Sequence, residues 1–544
     1  MESSRTRRSR SEDDDDLLRK LPPDVLISIL EKLGLRDVFR TRALSRSWRR
    51  LHDQLQLPRI VLDIYDFLPD GENWEDTYFG YDSDLSEDED DDEAPDGDDD
   101  SDDGGRRDDC DDDELSKASH KLLDAATAVL KQQQQQRTGV PVVCTMKILL
   151  RRDYMSLGRL LDAAVAAGRV SATELAITAR FLDDNPDEPL LAAYEQRFRR
   201  LFSGCPAAFG CLTRLTMERV KLDVVDLDSV LAACGRLETL SLSECGDYHG
   251  QTWHARHERL AEITVHYCGF EIVDLAWLPR LHRFTLRCWP SRFSRLKMNE
   301  WDAMRDWVLS TTPQPVSFGH VPSLTTLTLS NDDYRNGGIR RKLSSILANT
   351  AVTDLRLNFK GSNIWIVPES QKPFNDVFRN LKFLKVRSVY ETCGLDWTMF
   401  LLQAAPHLKE LYIKICDRIK SNDNTRVSGE VATAGVKHYN LIRFTIRGCY
   451  NIEDIIVPFT CRLVEAAVNL KEIYMRESTA FVRSGLVDPQ VVTGFPRTDK
   501  EKEWLRKRIT NGRCTPLTID IIQSYTAGER SQDTAGSTRK VSAL

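Results

Sequence analysis

The sequence lacks the long apolar stretches that a membrane span requires. None of its 544 residues lies in a run that approaches the ~18 uncharged apolar residues of a transmembrane helix. Residues 1–10 are polar and basic, and no apolar segment follows them, so we do not expect a secretory signal. We therefore predict a protein of the cytoplasm or the nucleus that binds no membrane. Its 13 cysteines are then reduced thiols.

Motifs of catalysis, metal binding and phosphate binding are also missing. The sequence has no Cys-x-x-Cys pair, no Gly-x-x-x-x-Gly-Lys loop and no Gly-x-Ser-x-Gly turn. His254 and His257, with His249 nearby, have no carboxylate or thiol at ligand spacing, so we interpret them as part of an exposed loop. We expect no cofactor, no metal and no enzymatic activity.

Basic residues are scarce in one acidic segment. Residues 82–114 contain 21 acidic side chains and only two basic ones, Arg106 and Arg107, which gives a net charge of −19. The whole chain has a net charge of −8, so the rest carries +11. Charge repulsion and the shortage of apolar residues predict a disordered insert over residues 66–137, which ends in a glutamine tract. Within it, only Leu115 to Leu130 has a composition that allows a short helix.

A small helical module precedes this insert. Leu21-Pro22-Pro23-Asp24 begins a helix, because proline is tolerated in the first turn, and Gly34 ends it. One apolar face of this helix consists of Val25, Leu26, Ile29, Leu30 and Leu33. About 40 residues cannot bury a sufficient core alone. The module therefore packs on the next domain or binds a separate protein.

Three clusters in this module occur in the order and at the spacing of an F-box. They are a Leu-Pro start with an Ile-Leu pair one turn later (21–30), Leu33 with 36–38, and a Ser-x-x-Trp-Arg close (43–51). The module therefore resembles an F-box, which implies binding to the Skp-type adaptor of a cullin-RING (SCF) ubiquitin ligase. Adaptor-binding residues implied by the resemblance, some of which also form the internal core, are Leu21, Pro22, Leu26, Ile29, Leu30, Leu33, Val38 and Trp48.

One apolar pattern recurs through the remaining chain: apolar, two residues, apolar, one residue, apolar. This is the signature of leucine-rich repeats. Clear copies begin at Leu212, Leu237, Leu260, Leu281, Leu324, Val352, Leu381, Leu408, Leu441 and Leu470, and weaker ones at Leu57, Val143 and Ala172. Alternation within each copy predicts a short strand with one buried face, and the intervening segments look helical. We therefore predict an α/β fold in which a curved leucine-rich-repeat solenoid has a parallel sheet on its concave side.

The predicted domain boundaries follow from these features. They give a disordered tail (1–16), the F-box (17–56), a first solenoid strand (57–65), the insert (66–137), the repeats (138–514) and a disordered tail (515–544). The long interval between the copies at Leu281 and Leu324 predicts an extra helix over 296–309. Buried thiols that turn the chain out of the strands are expected at Cys245, Cys268, Cys416 and Cys449.

The order of the modules resembles that of plant, particularly grass-type, F-box/leucine-rich-repeat proteins. Segments 380–384, 400–411, 465–473 and 495–509 resemble the final repeats of that group. The resemblance implies a substrate receptor in which the F-box holds the ligase and the repeats hold a target protein. A repeat scaffold without ligase recruitment is the alternative. Nucleic-acid or histone binding is not expected, because the basic residues are spread out and no nucleic-acid motif is present.

The last four repeats have the most distinctive outward positions, which lie two, four and six residues after the first apolar residue of each copy. They carry six basic residues, two acidic residues and three aromatic residues, and aromatic residues and arginine dominate binding hot spots. An acidic or phosphorylated target segment would therefore bind at Phe383, Lys385, Arg387, Tyr412, Lys414, Arg443, Arg447, Tyr474 and Arg476. A generic solvated sheet face is the alternative interpretation. Likewise, the acidic insert is either a spacer or a competitor for this basic face.

Overall fold

The computed structural model describes a large part of the chain. The described residues are 21–22, 25–26, 29, 59–68, 108–135, 142–151, 153–179, 188–246, 251–288, 314–331, 341–348, 350–359, 364–366, 369, 378–390, 395–416, 437–449, 452–477, 495–496, 498–510 and 516–522. They divide after Thr216 into two compact units. No helix in these ranges is long and apolar enough to cross a membrane.

The first unit contains a parallel sheet and packed helices. Its strands pair in the order β1 (Arg59–Leu62), β2 (Val142–Leu149) and β3 (Val170–Thr178). Every second residue of β2 is buried over most of its length, as the alternating pattern predicts. The helices are α1 (Asp108–Gln135), α2 (Tyr154–Ala166), α3 (Glu188–Gly204) and α4 (Pro206–Gly210).

Helix α1 lies inside the segment that composition assigns to a disordered insert. Its buried side chains recur at helical spacing and include Leu115, Ala118, Leu122, Ala126 and Leu130. The helix is therefore longer than the short one allowed at 115–130, and it packs on α2, where His120 Nδ1 lies 2.7 Å from a carboxylate oxygen of Asp153. The acidic content of the window concealed this apolar stripe. Residues 69–107 lie outside the described part of the chain.

The second unit contains the main run of repeat strands. Strand β4 (Leu212–Glu218) crosses the division between the units. The strands of this unit form a parallel sheet in the order β5 (Thr239–Ser243), β7 (Glu262–His266), β9 (Arg283–Arg287), β11 (Thr326–Ser330), β12 (Asp354–Asn358), β13 (Phe383–Tyr390), β14 (Glu410–Cys416), β15 (Arg443–Cys449), β16 (Glu472–Glu477) and β17 (Thr518–Ile522). Each of the ten clear copies of the apolar pattern forms a strand, which confirms that prediction.

The chain leaves several of these strands through the same backbone turn. The residue seven positions after the first apolar residue of the copy has a positive φ at Arg219, Glu244, Tyr267, Cys288, Ser388 and Gly448. At the first four, its backbone N–H donates to the carbonyl oxygen of the last residue of the next strand, as from Glu244 to His266 at 2.8 Å. The turn therefore extends the hydrogen-bond ladder beyond the strands.

A second, three-stranded parallel sheet lies in intervals between the repeat strands. The prediction that the intervening segments are helical is therefore wrong for these intervals. The second sheet has the order β10 (Val316–His320), β8 (Phe270–Trp277) and β6 (Gln251–Arg256). Trp253 and Ala255 alternate with exposed residues, as do Val273 and Leu275 with half-buried ones. This period of two favours strands in segments where we expected helices.

Helices occupy other intervals of the second unit. They are α5 (Val224–Ala233), α6 (Leu343–Ile346), α7 (Met399–Ala404), α8 (Val457–Ala466) and α9 (Asp499–Thr510). The extra helix predicted at 296–309 lies outside the described residues. The disordered tail predicted from residue 515 is wrong at its start, because β17 pairs with β16 and buries Ile519 and Ile521.

Two buried histidines hold the turns that lead into β7 and β15. The Nδ1 atom of His438 accepts the backbone N–H groups of Asn440 (3.3 Å) and Leu441 (3.0 Å), while Nε2–H donates to the carbonyl oxygen of Ala405 at 2.9 Å. His257 makes the same contacts, with Leu260 at 3.0 Å and Cys234 at 3.1 Å. Both rings need the neutral form, because a protonated Nδ1 accepts no hydrogen bond.

We expect the protein to lose stability on acidification through these two histidines. Burial lowers the pKa of both His257 and His438 below that of the unfolded chain. The unfolded state therefore takes up protons first, so stability is full above about pH 6.5 and falls as the pH drops toward the folded-state pKa values. Denaturant unfolding at pH 7.5 and pH 5.5 measures this difference.

Matched variants assign the acid sensitivity to the buried rings. Combining His257→Gln with His438→Gln should lower stability at pH 7.5 and also reduce the difference between the two pH values. His320→Gln changes an exposed ring at the end of β10 and should leave the difference unchanged. A full pH difference in the double variant would contradict this origin.

Candidate functional site

The start of the predicted F-box helix is described at five positions. Pro22 precedes the helix, and its carbonyl oxygen accepts the backbone N–H groups of Val25 (3.1 Å) and Leu26 (3.2 Å). The Val25 side chain is 42% exposed, whereas Leu26 and Ile29 are half-buried. Leu21 is half-buried and Pro22 is exposed. The other positions predicted to bind the adaptor lie outside the described residues: Leu30, Leu33, Val38 and Trp48.

The register of the sheet aligns the outward residues of β12–β16 in three rows. We call the sheet face that these residues form the outward face. The first row contains Asp354, Phe383, Glu410, Arg443 and Glu472. The second contains Arg356, Lys385, Tyr412, Thr445 and Tyr474. The third contains Asn358, Arg387, Lys414, Arg447 and Arg476, with a register shift after Val386.

Carboxylates in the first row engage Arg443. Its Nε lies 2.7 Å from Glu472, and its Nη1 lies 3.2 Å from Glu410. The hydrogen bond from Arg443 to Glu472 raises the pKa of the guanidinium, and both carboxylate charges add to the effect. The adjacent strands thus supply two counter-charges to this cation. Arg443, which the sequence assigns to target binding, therefore already forms ion pairs within the chain.

Tyr412 lies at the centre of the remaining cations of the outward face. Burial raises its pKa, while the charge and hydrogen bond of Arg447 and the charges of Arg387 and Arg476 oppose that rise. The Nζ atom of Lys385 lies 5.0 Å from the centroid of the Tyr412 ring. The phenol keeps its proton at neutral pH and remains a hydrogen-bond donor.

We call Lys385, Arg387, Tyr412, Lys414, Arg447 and Arg476 the basic cluster. Phe383 and Tyr474 share the outward face but lie in register with acidic residues, Phe383 beside Asp354 and Glu410, and Tyr474 beside Asp520. The sequence therefore placed all nine candidates on one face. It did not separate the basic cluster from Arg443, because cross-strand partners are set by register.

Three polar side chains on the second sheet, a histidine, an aspartate and a serine, lie close together although no sequence motif predicted this group. His254 Nδ1 lies 2.7 Å from one carboxylate oxygen of Asp274, and the Ser317 hydroxyl donates to the other oxygen at 2.6 Å. The hydroxyl thus bonds to the carboxylate rather than to the imidazole, so the group does not form a nucleophile–base pair. The exposed-loop interpretation is wrong here, because His254 lies on β6 and His257 is buried.

Buried thiols line the repeat turns as small, inert side chains. Cys245 Sγ donates to the carbonyl oxygen of Met217 at 3.3 Å, and Cys268 Sγ to that of Leu242 at 3.5 Å. Burial raises the pKa of Cys234 to about 12, so this thiol is protonated at neutral pH and weakly nucleophilic. Of Cys416 and Cys449 only the backbone is described. Among the described residues, no group of three or more His, Cys, Asp or Glu side chains is arranged to hold a metal.

Two regions of the chain match models of known protein families. A model of the F-box domain matches residues 18–59, which include the described helix start. This region of the chain is therefore similar to an F-box. The repeat match is to a model described as FBD-associated F-box protein At5g56370, LRR repeats, and it covers residues 190–413. No curated protein matches the chain.

Proposed function

We propose that this protein is the substrate-recognition subunit of a plant SCF-type cullin-RING ubiquitin ligase. The observation that carries the proposal is the presence, in one chain, of an F-box match at residues 18–59 and a repeat match at residues 190–413. In this role the F-box binds a Skp-type adaptor, and the repeats bind a target protein for ubiquitination. The subunit itself is non-catalytic and acts in the cytoplasm or the nucleus.

The helix start supports the adaptor half of the proposal. Val25, Leu26 and Ile29 together present apolar surface that is only partly covered within the described chain. A module of about 40 residues gains stability when such surface is buried against a partner. The proposed adaptor interface consists of Leu21, Pro22, Leu26, Ile29, Leu30, Leu33, Val38 and Trp48.

The outward face of the last strands supports the target half. Arginine, tyrosine and phenylalanine are half-buried there and lie on adjacent parallel strands of a rigid sheet. Half-buried side chains on regular strands lose little conformational entropy on binding, which favours affinity. We propose that an acidic or phosphorylated target segment contacts Phe383, Lys385, Arg387, Tyr412, Lys414, Arg447, Tyr474 and Arg476. Arg443 also belongs to the proposed surface, but a target would contact it while it is paired with Glu410 and Glu472.

Loss of adaptor binding tests this function directly. Leu26→Asp combined with Ile29→Asp places two carboxylates in an apolar interface, and an unpaired buried charge costs about 3–5 kcal/mol. We expect capture of the purified full chain by an immobilised Skp-type adaptor to weaken by about 100-fold or more. Surface plasmon resonance with a concentration series measures the change.

A matched control introduces the same number of aspartates outside the F-box. Val225→Asp combined with Val468→Asp introduces two carboxylates at exposed valines, 72% and 36% accessible, and should leave adaptor binding intact. Thermal unfolding must show that the repeats remain folded in both double variants. Wild-type adaptor affinity in the F-box variant, or no adaptor binding by the wild-type chain, would favour the scaffold without ligase recruitment.

A further inference from the structure

Strand β17 is the last strand of the sheet, and one of its sides has no neighbouring strand among the described residues. The N–H group of Thr518 donates to the carbonyl oxygen of Lys471 at 2.9 Å, and the register then places Ile519 opposite Ile473 on β16. Alternate residues of a parallel strand direct their backbone groups to opposite sides. The N–H and C=O groups of Ile519 and Ile521 therefore point away from β16. We call this side the outer edge of β17.

The composition of β17 suits the outer edge to pairing with another strand. Its sequence, Thr-Ile-Asp-Ile-Ile, contains four residues with a high preference for strands, a single charge and no proline. The side chains of Ile519 and Ile521 are buried, whereas those of Thr518 and Asp520 are exposed on the opposite side of the sheet. A strand of this kind is a template on which another chain can pair unless an obstacle prevents it.

Helix α9 supplies one obstacle. The Nε–H group of Arg506 donates to the carbonyl oxygen of Ile519 at 3.1 Å. This carbonyl belongs to the outer edge and is one of the acceptors that an added strand would use. Leu505 and Ile509 are buried and fix the helix on the body of the unit, so the guanidinium group is held at the outer edge.

Asp520 supplies a second obstacle, which acts against a copy of the same strand. Antiparallel pairing about a two-fold axis at Asp520 would join two β17 strands over all five residues and keep both buried faces on one side of the sheet. Ile519 of each copy would then form a hydrogen-bonded pair with Ile521 of the other. The two Asp520 residues would form the non-hydrogen-bonded pair at the centre, with Cα atoms about 4.5 Å apart. Like charges directly opposite one another destabilise a sheet.

We propose that Arg506 and Asp520 together close the outer edge of β17 to a second copy of this chain and thereby keep the protein monomeric. Arg506 occupies a backbone acceptor of the edge, and Asp520 places two carboxylates at the centre of the two-fold pair. A covering helix and a charged side chain are both means by which proteins protect sheet edges. The inference concerns association between copies and is independent of the proposed ligase role.

Removal of both obstacles should convert the monomer into a dimer. Arg506→Ala frees the carbonyl oxygen of Ile519, and Asp520→Thr replaces the repulsive pair with a favourable threonine pair. In sedimentation velocity over a concentration series, the weight-average mass of the full-length double variant should approach twice that of the wild-type chain, which should stay constant. Each single variant should shift less far towards the dimer. A folded double variant that remains monomeric at every concentration would overturn the proposal.

A conservative pair of substitutions covers the case in which the first double variant does not fold. Arg506→Gln combined with Asp520→Asn removes the same charges with smaller changes in volume, and it should also dimerise, although less strongly. Thermal unfolding identifies the folded preparations. If this second variant is folded and monomeric, the proposal is wrong.

A matched control removes the same charges elsewhere on α9. Arg508→Ala combined with Asp499→Thr changes two exposed residues, and the Arg508 guanidinium lies 5.3 Å from the centroid of the Trp504 ring. This control should remain monomeric. Dimerisation equal to that of the Arg506 and Asp520 double variant would refute the outer edge as its origin.

Cysteine substitutions locate the two-fold axis. Asp520→Cys combined with Arg506→Ala brings two thiols to the centre of the pair, at a Cα separation within the range of a disulfide. Oxidation should give a covalent dimer on a non-reducing gel. Thr518→Cys, added to Arg506→Ala and Asp520→Thr, lies opposite Ile522 of the other copy and should not cross-link. Equal cross-linking at both positions would contradict the two-fold pair.

Two further results complete the test of the interface. The Arg506→Ala and Asp520→Thr variant without an added cysteine measures cross-linking through the 13 native cysteines, and the dimer band of Asp520→Cys should exceed that background by about tenfold or more. A head-to-tail contact between different surfaces would give oligomers that lengthen with concentration instead of a closed dimer. Such oligomers would overturn the proposed pairing of β17 with β17.

Discussion

Gly448→Ala is expected to destabilise the C-terminal repeats by about 2–4 kcal/mol. Gly448 has a φ of 79°, in the left-handed region that disfavours residues with a Cβ atom. A Cβ atom there would also collide with the carbonyl oxygen of Ile415 on β14 and lie 2.9 Å from its carbonyl carbon. Because the obstacle is backbone, no side-chain rotation relieves it. Hydrogen exchange over residues 437–477 should show the loss of protection.

Two other glycines separate backbone strain from collision. Gly168 has a φ of 70° but no atom within 4 Å of the added Cβ, so Gly168→Ala should cost only about 1 kcal/mol. Gly210 has open space and no positive φ, so Gly210→Ala should be nearly neutral. Similar losses for Gly448→Ala and Gly168→Ala would contradict the collision.

Phe444→Ala is expected to cost about 3–5 kcal/mol, the usual range for removing a buried aromatic ring. Phe444 is completely buried on β15, and its ring centroid lies 6.0 Å from that of Phe459 on α8. It lies on the face of the strand opposite to Arg443 and Arg447, so the substitution removes no group from the outward face. Denaturant unfolding combined with regional hydrogen exchange measures the effect.

The response to Phe444→Ala should be local because repeat units contact mainly their neighbours. Phe284 is the corresponding buried residue on β9, and Phe284→Ala should cost a similar amount while leaving protection at 452–477 close to wild type. Phe444→Leu preserves most of the volume and should cost less than about 1.5 kcal/mol. Equal loss of protection across all described strands in either alanine variant would contradict this locality.

Strand positions could be predicted from the sequence because the pattern that specifies them is local. Two apolar residues separated by one residue define a buried face within a single short strand, as at Leu384 and Val386 on β13. The F-box start is local for the same reason, since it depends on a few side chains along one helix. The full length of helix α1 and the whole of strand β17 were missed because charged or polar neighbours concealed their apolar pattern.

Register, in contrast, joins residues that are far apart in the chain. The sequence shows Glu410, Arg443 and Glu472 as three outward residues about 30 positions apart, and only their alignment on adjacent strands makes Arg443 part of two ion pairs. The same alignment brings Arg447 and its neighbours to Tyr412. The sequence by itself therefore determined the repeat class, the strands and the sign of charge on the outward face. The tertiary structure decided that Arg443 lies between two carboxylates and that arginines of neighbouring strands surround Tyr412, because electrostatic partnership depends on distances of a few ångströms across strands.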